Sequence, residues 1–170
     1  EYSFEIHPSY EPKHRWILPV QVSGPFSFTL LAIWTIPHAD SGSYVQPLME
    51  ALETYTRLHD EATVVWAGDF NANFRFDTSA RRPKFSDFVA ALGQRDIHSL
   101  YHQERNCEHG NEEEKTFYMY HSVEKGHHID YHFASRKVRA LPHKMTVGSH
   151  ETWSKLSDHV PLITDISTAS

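Results

Sequence analysis

The segment from Ala62 to Ala67 is a short, unbroken apolar run, closed by Gly68-Asp69-Phe70-Asn71. Apolarity without alternation suits a strand covered on both faces, which belongs at the centre of a layered α/β architecture. The end of that strand is polar. Asp69 and Asn71 stand two residues apart, so both project to one side if the extended geometry persists. Ligand sites in α/β folds collect at such strand ends.

The rest of the chain supplies layers for that strand to sit in. Trp16 to Val22 and Phe26 to Thr35 are rich in β-branched and aromatic residues and read as strands joined by a Ser23-Gly24-Pro25 turn. Val45, Leu48, Met49, Leu52 and Tyr55 form a helical stripe with Ser43 as its cap. A second helix is expected around Phe85, Phe88, Val89 and Leu92, closed by Gly93. The polar stretch Gln103 to Lys115 reads as a loop. Thr116 to His121, Ile129 to Ser135, Val138 to Val147 and Val160 to Ile166 read as strands. Helices and strands mix without strict alternation, so the expectation is one compact α/β (α+β) unit over residues 1–170 with a mixed sheet or sheets.

Charge limits the partners. The chain carries 16 basic and 22 acidic side chains, a formal charge of −6. Non-specific binding to nucleic-acid phosphates draws on a basic excess, which is lacking. A phosphate substrate stays compatible, because a bound divalent cation reverses the sign of a local acidic site. The single cysteine, Cys107, forms no internal disulfide and no thiolate zinc framework. No apolar run approaches the ~20 residues that span a bilayer. The chain starts at Glu1 and enters an extended apolar pattern within a few residues, which reads as a piece of a longer protein. It carries no compartment signal, and a cytoplasmic location is compatible with it.

Two further segments resemble Gly68–Asn71 in kind: His128-Ile129-Asp130-Tyr131, and Leu156-Ser157-Asp158-His159-Val160-Pro161. Each sets a carboxylate at the end of a strand candidate. Taken singly, each also reads as a turn or cap, since Asp and Asn hydrogen-bond their own backbone there. The three together suggest an acidic, histidine-bearing pocket suited to hydrolysis of a phosphoester. A hard cation takes one or two carboxylates with waters and substrate phosphate. A neutral amide holds a phosphate oxygen without adding charge. A histidine fixed by a buried carboxylate moves a proton near neutrality, and Asp130 with His159 is the expected couple. The histidines at 127, 128 and 132 also raise a transition-metal reading, against which stand the missing thiolate and the opposite facing of His127 and His128.

These residues resemble the endonuclease/exonuclease/phosphatase superfamily, which includes deoxyribonucleases, abasic-site endonucleases, sphingomyelinases and inositol polyphosphate phosphatases. Val64 to Asn71 looks like its central strand and GDFN motif, Ile129 to Ser135 like its IDYxFxS strand, and Ser157 to Pro161 like its SDHxP motif. Thr116-Phe117-Tyr118 is similar to its aromatic pocket strand. The resemblance implies a layered β-sandwich flanked by helices and a Mg²⁺- or Mn²⁺-dependent phosphoester hydrolase, a nuclease, phosphodiesterase or phosphatase. It implies that Asp69 and Asn71 orient water and phosphate, that Asp130 holds a catalytic His159, and that Asp158 is a metal ligand. His38, His128 and Phe117 are implied around the substrate, which is a phosphoester and includes nucleic acid among its candidates. The superfamily also has a metal-binding Glu on an early strand, and neither Glu5 nor Glu11 has that context. The expectation is therefore a sandwich lacking its N-terminal strands, feebly active alone, with a non-catalytic fragment or binding module of the same fold as the alternative.

Overall fold

The computed structural model describes residues 1–61, 63–80 and 82–168; Ala62, the first residue of the apolar run, lies outside them. The strands are β1 (Ser3–Ile6), β2 (Ile17–Ser23), β3 (Phe28–Trp34), β4 (Val64–Asp69), β5 (Ile97–Ser99), β6 (Phe117–Tyr118), β7 (Gly126–His127), β8 (Asp130–Ser135), β9 (His143–Val147) and β10 (Leu162–Ile166). The helices are α1 (Val45–Thr54), α2 (Thr56–Glu61), α3 (Phe85–Gly93), α4 (Leu100–Arg105), α5 (Arg136–Arg139) and α6 (His150–Trp153).

A six-stranded mixed sheet runs in the order β1-β2-β3-β4-β8-β5. As its composition demands, β4 lies inside it, parallel to β3 and antiparallel to β8. Val64 and Trp66 are fully buried on one face and Val65 is 9% exposed on the other. The first face carries Ile17, Leu31, Ile33, Trp66, Tyr131 and Phe133, packed under the apolar stripes of α1 and α3. Phe70 anchors this core from the turn after β4, with ring centroids 5.6 Å from Tyr131 and 5.5 Å from Phe133. The Ser43 hydroxyl accepts from the amides of Val45 and Gln46, both at 3.2 Å, and starts α1 as its sequence suggests.

The second face is covered by the two-stranded antiparallel sheet of β9 and β10. Met145 packs there with Val65, Ala134, Val138, Leu100 and Tyr101, and His132 Nδ1 lies 2.6 Å from Thr164 Oγ1 across the layers. Sheet register puts Phe4, Ile6, Val20, Leu30 and Val65 on this same face. At its β1 edge Phe4 and Ile6 are 67% and 60% exposed, so the small sheet covers only part of the large one.

Three sequence expectations shift. The strand expected over Thr116 to His121 stops after Tyr118, because Tyr120 and His121 take left-handed backbone angles that cannot continue a ladder. The strand expected from Val138 begins at His143, and Val138 is instead the buried anchor of the one-turn α5. The expected loop from Gln103 begins inside α4, whose Ser99 hydroxyl accepts from the His102 amide.

Candidate active site

The ends of β4 and β8 meet in the middle of the large sheet, with Asp69 directly opposite Asp130. Like charges opposed across a ladder repel, and both side chains are largely shielded, at 15% and 17% exposure. Burial, reinforced by the charge of Asp130, pushes the Asp69 carboxyl up to about 6. The chain tolerates this because Asn71 grips both oxygens. Its backbone amide donates to Oδ1 at 2.9 Å and its side-chain amide to Oδ2 at 2.7 Å.

That grip needs an unusual turn. Asn71 has φ 48°, a conformation Asn accepts better than most residues. The Asn71 amide also donates to the Thr35 carbonyl, while the Thr35 hydroxyl donates to the Phe70 carbonyl at 2.6 Å. Gly68 is required as well: its φ is +137°, and an added Cβ would stand 2.0 Å from the Ile33 carbonyl oxygen.

His159 arrives from the other layer, in the segment just before β10. Its Nδ1–H donates to Asp130 Oδ2 at 3.0 Å, and its Nε2 faces Asp69 Oδ2 at 3.9 Å. Burial alone would lower its pKa, but the hydrogen bond and charge of Asp130, with Asp69 behind it, outweigh burial and raise it. Phe117 lies against the imidazole, with centroids 4.9 Å apart. The segment is laced to the β6 strip by Tyr118 N–H to the Asp158 carbonyl, 2.7 Å, and Val160 N–H to the Thr116 carbonyl, 2.8 Å. Thr116, fully buried, accepts at Oγ1 from the amides of both Ile129 and Asp130 at 3.1 Å.

Asp69, Asn71, Asp130 and His159 thus come together, with Phe117 beside them. Asp158 is exposed, and its carboxylate has no hydrogen-bond partner among the described residues. The structure places His128 and His38 elsewhere. His128 is 2% exposed, with Nδ1 2.9 Å from the Glu114 carbonyl and its ring 4.5 Å from that of Tyr101. β8 begins only at Asp130, so His128 lies outside the strand that carries Asp130. β3 ends at Trp34, and the chain carries His38 on toward α1, where it faces Glu50 at 3.6 Å. The residue at the strand end is Trp34, which pairs in register with Asp69 and is 57% exposed. It stacks edge-on against Trp16, 4.9 Å away, with Arg15 over the Trp16 ring. Thr35, Thr116 and Trp34 went unassigned in the sequence; the β-rich text around each was the available signal.

Beside Asn71 opens a cavity of about 290 Å³, walled by Ala72, Phe76, Phe117, Met119 and His127. Its lining is mostly apolar, with Asn71 and Asn73 among its polar members.

No family model matches the chain, and no curated protein does. Solved structures do. The 3′-5′ exonuclease NExo from Neisseria meningitidis is 18% identical, with 99% of this chain and 71% of that one covered at a TM-score of 0.69. An AP endonuclease from Archaeoglobus fulgidus is 17% identical over 99% of this chain and 71% of that one, at 0.65. The endonuclease domain of TRAS1, a telomere-specific non-LTR retrotransposon, is 16% identical over 98% and 67%, at 0.63. With its two layered sheets, flanking helices and a carboxylate–histidine cluster at the strand ends, the chain has the endonuclease/exonuclease/phosphatase fold.

Proposed function

We propose that this chain hydrolyses phosphoester bonds, with a nucleic-acid backbone as the first substrate class to test. The observation that carries the reading is the Asp130–His159–Asp69 line, in which one carboxylate holds the imidazole and the other faces its free nitrogen. A water about 2.8 Å from both His159 Nε2 and Asp69 Oδ2 fits the 3.9 Å gap between them. Asp69 then takes the proton of the attacking water, since a base titrating near the working pH serves best. As the water oxygen bonds to phosphorus, the ester P–O bond breaks and its oxygen leaves with the electron pair, to be protonated from solvent. His159, kept protonated by Asp130, steadies the charge growing on the phosphoryl oxygens. Asn71 spends its amide on Asp69 and the Thr35 carbonyl, so its own carbonyl oxygen is left to orient the water.

A divalent cation of the Mg²⁺ or Mn²⁺ class fits the donor chemistry. Asp158 presents an unengaged, exposed carboxylate, and such cations accept one carboxylate with waters filling the remaining positions. Asp158 would hold it, and when bound it offsets charge on the phosphoryl oxygens. The apolar cavity beside Asn71 suits a planar or sugar-like group next to the scissile phosphate. Exposed Trp34 beside Asp69 offers a face on which a base can stack. The nuclease names of the similar structures lend this substrate class its support.

The test is cleavage of plasmid DNA and of bis-p-nitrophenyl phosphate in the presence of Mg²⁺. His159→Ala is expected to lower the rate by about 10²–10³-fold, the usual cost of losing one donor that stabilises transition-state charge. Equal turnover by the wild type and His159→Ala would sink the assignment.

A further inference from the structure

Away from this site, three ligand-type side chains converge where α4 meets the loop that follows it. We propose that His102, His109 and Glu112 form a binding site for a zinc-class divalent cation. One ligand atom from each lies within 4.8 Å of the others. His102 Nε2 and Glu112 Oε1 are 3.0 Å apart, close to the roughly 3.3 Å that two ligands of a tetrahedral zinc span.

Three features favour a built site over a chance meeting of polar groups. Glu112 and His102 are both buried, with side chains 1% and 7% exposed. His109 Nδ1 is buried and has no hydrogen-bond partner among the described residues, a state uncommon for an imidazole nitrogen inside a protein. The ligands have the supporting partners that orient metal-bound groups. Ser99 Oγ sits 2.7 Å from His102 Nδ1, which leaves Nε2 for the ion. The Gly110 amide donates to Glu112 Oε1 at 2.9 Å and the Asn73 amide to Oε2 at 3.2 Å.

Two imidazoles and a carboxylate suit zinc and its neighbours, and three protein ligands leave a fourth position open. A cleft of about 360 Å³, bordered by Ser99, Gln103 and Arg139, reaches both histidines and gives the ion access. The rings of His102 and His109 stack with centroids 3.6 Å apart, so their lone pairs lie in nearly parallel planes. Binding requires the His109 ring to tilt out of that stack, toward Glu112. The ion would then tie the loop carrying His109 and Glu112 to α4, a few residues ahead of Thr116 and Phe117.

The test titrates Zn²⁺ into chelator-stripped protein by calorimetry, in the wild type and in Asp158→Asn, which disables the other cation position. One equivalent is expected to bind with the same affinity in both, and any second equivalent is expected in the wild type alone. Ser99→Ala should weaken it by about 10–100-fold, as loss of an orienting partner does, and Glu112→Gln and His109→Gln by more. Zinc-edge X-ray absorption on the wild type needs no variant and should report imidazole and oxygen neighbours without sulfur. No uptake of Zn²⁺, unchanged affinity in Glu112→Gln, or a zinc–sulfur distance pointing to Cys107 would each overturn the proposal.

Discussion

Asp69 is held in a form that costs the folded chain stability, and removing its charge tests that directly. Burial and the facing Asp130 move the carboxyl from the ordinary 3.8 to about 6, which corresponds to about 3 kcal/mol. The native state binds this proton more tightly than the unfolded chain, so stability is highest below the ordinary value. It declines as pH climbs toward about 6 and stays lowered above that. Asp69→Asn removes the charge and keeps the shape. It also turns an NH₂ toward one of the two Asn71 donors, a loss of about 1–2 kcal/mol. The expected balance near neutrality is a gain of about 1–2 kcal/mol, seen as a Tm about 2–8 °C higher for a domain of this size. Near pH 4 the electrostatic gain is gone and the hydrogen-bond loss remains, so the variant matches or falls below the wild type. Thermal unfolding followed by circular dichroism at the two pH values reads this out, with DNA cleavage measured alongside and expected to fall sharply. A variant less stable than the wild type at neutral pH, or shifted equally at both, would refute the reasoning.

Two further outcomes follow from the same geometry. Asp130→Asn takes away the charge that strengthens the bond to His159, leaving a neutral amide oxygen as acceptor, and the charge that lifts Asp69. The rate should fall by about 10–100-fold, the worth of a charged hydrogen bond, and the acid limb of the kcat/KM profile should move to lower pH. An acid limb that stays in place would show that Asp130 does not act on Asp69. Gly68→Ala forces a methyl group into the Ile33 carbonyl at a φ that side chains rarely adopt. A destabilisation above about 4 kcal/mol is expected in urea unfolding, and a cost under about 1 kcal/mol would contradict the close approach of β3.

The centre of the fold was legible because its constraints are local. Val64 to Ala67 is apolar at every step, and the only place for such a strand is between two layers. The periphery was not. Ser3 to Ile6 is a strand because β2 pairs with it in register, although all of its residues are exposed, and pairing leaves no mark on side-chain pattern. Val138 gives one buried contact to a single helical turn, too short for a period of 3.6 to be told from one of 2. The site divides in the same way. Asp69, Asn71, Asp130 and His159 stood out as polar groups at strand ends, and they meet. Trp34 stands at the end of β3 and His38 lies beyond it, because where β3 stops depends on its pairing with β4 rather than on its own residues. Thr116 and Thr35 act through buried hydroxyls on backbone groups, and nothing in a lone threonine announces that.

The two carboxylates of the proton line ride on the large sheet, whereas His159 rides on the small one. Beyond the His159–Asp130 bond itself, a polar tie between those sheets among the described residues is His132 to Thr164, supported by the packing of Met145. A slide of the small sheet by a fraction of an ångström, too slight to register as melting, would lengthen the His159–Asp130 contact and change the gap between His159 and Asp69. Gentle heating or dilute urea should therefore silence the chemistry while the aromatic core around Phe70 still reports a native protein.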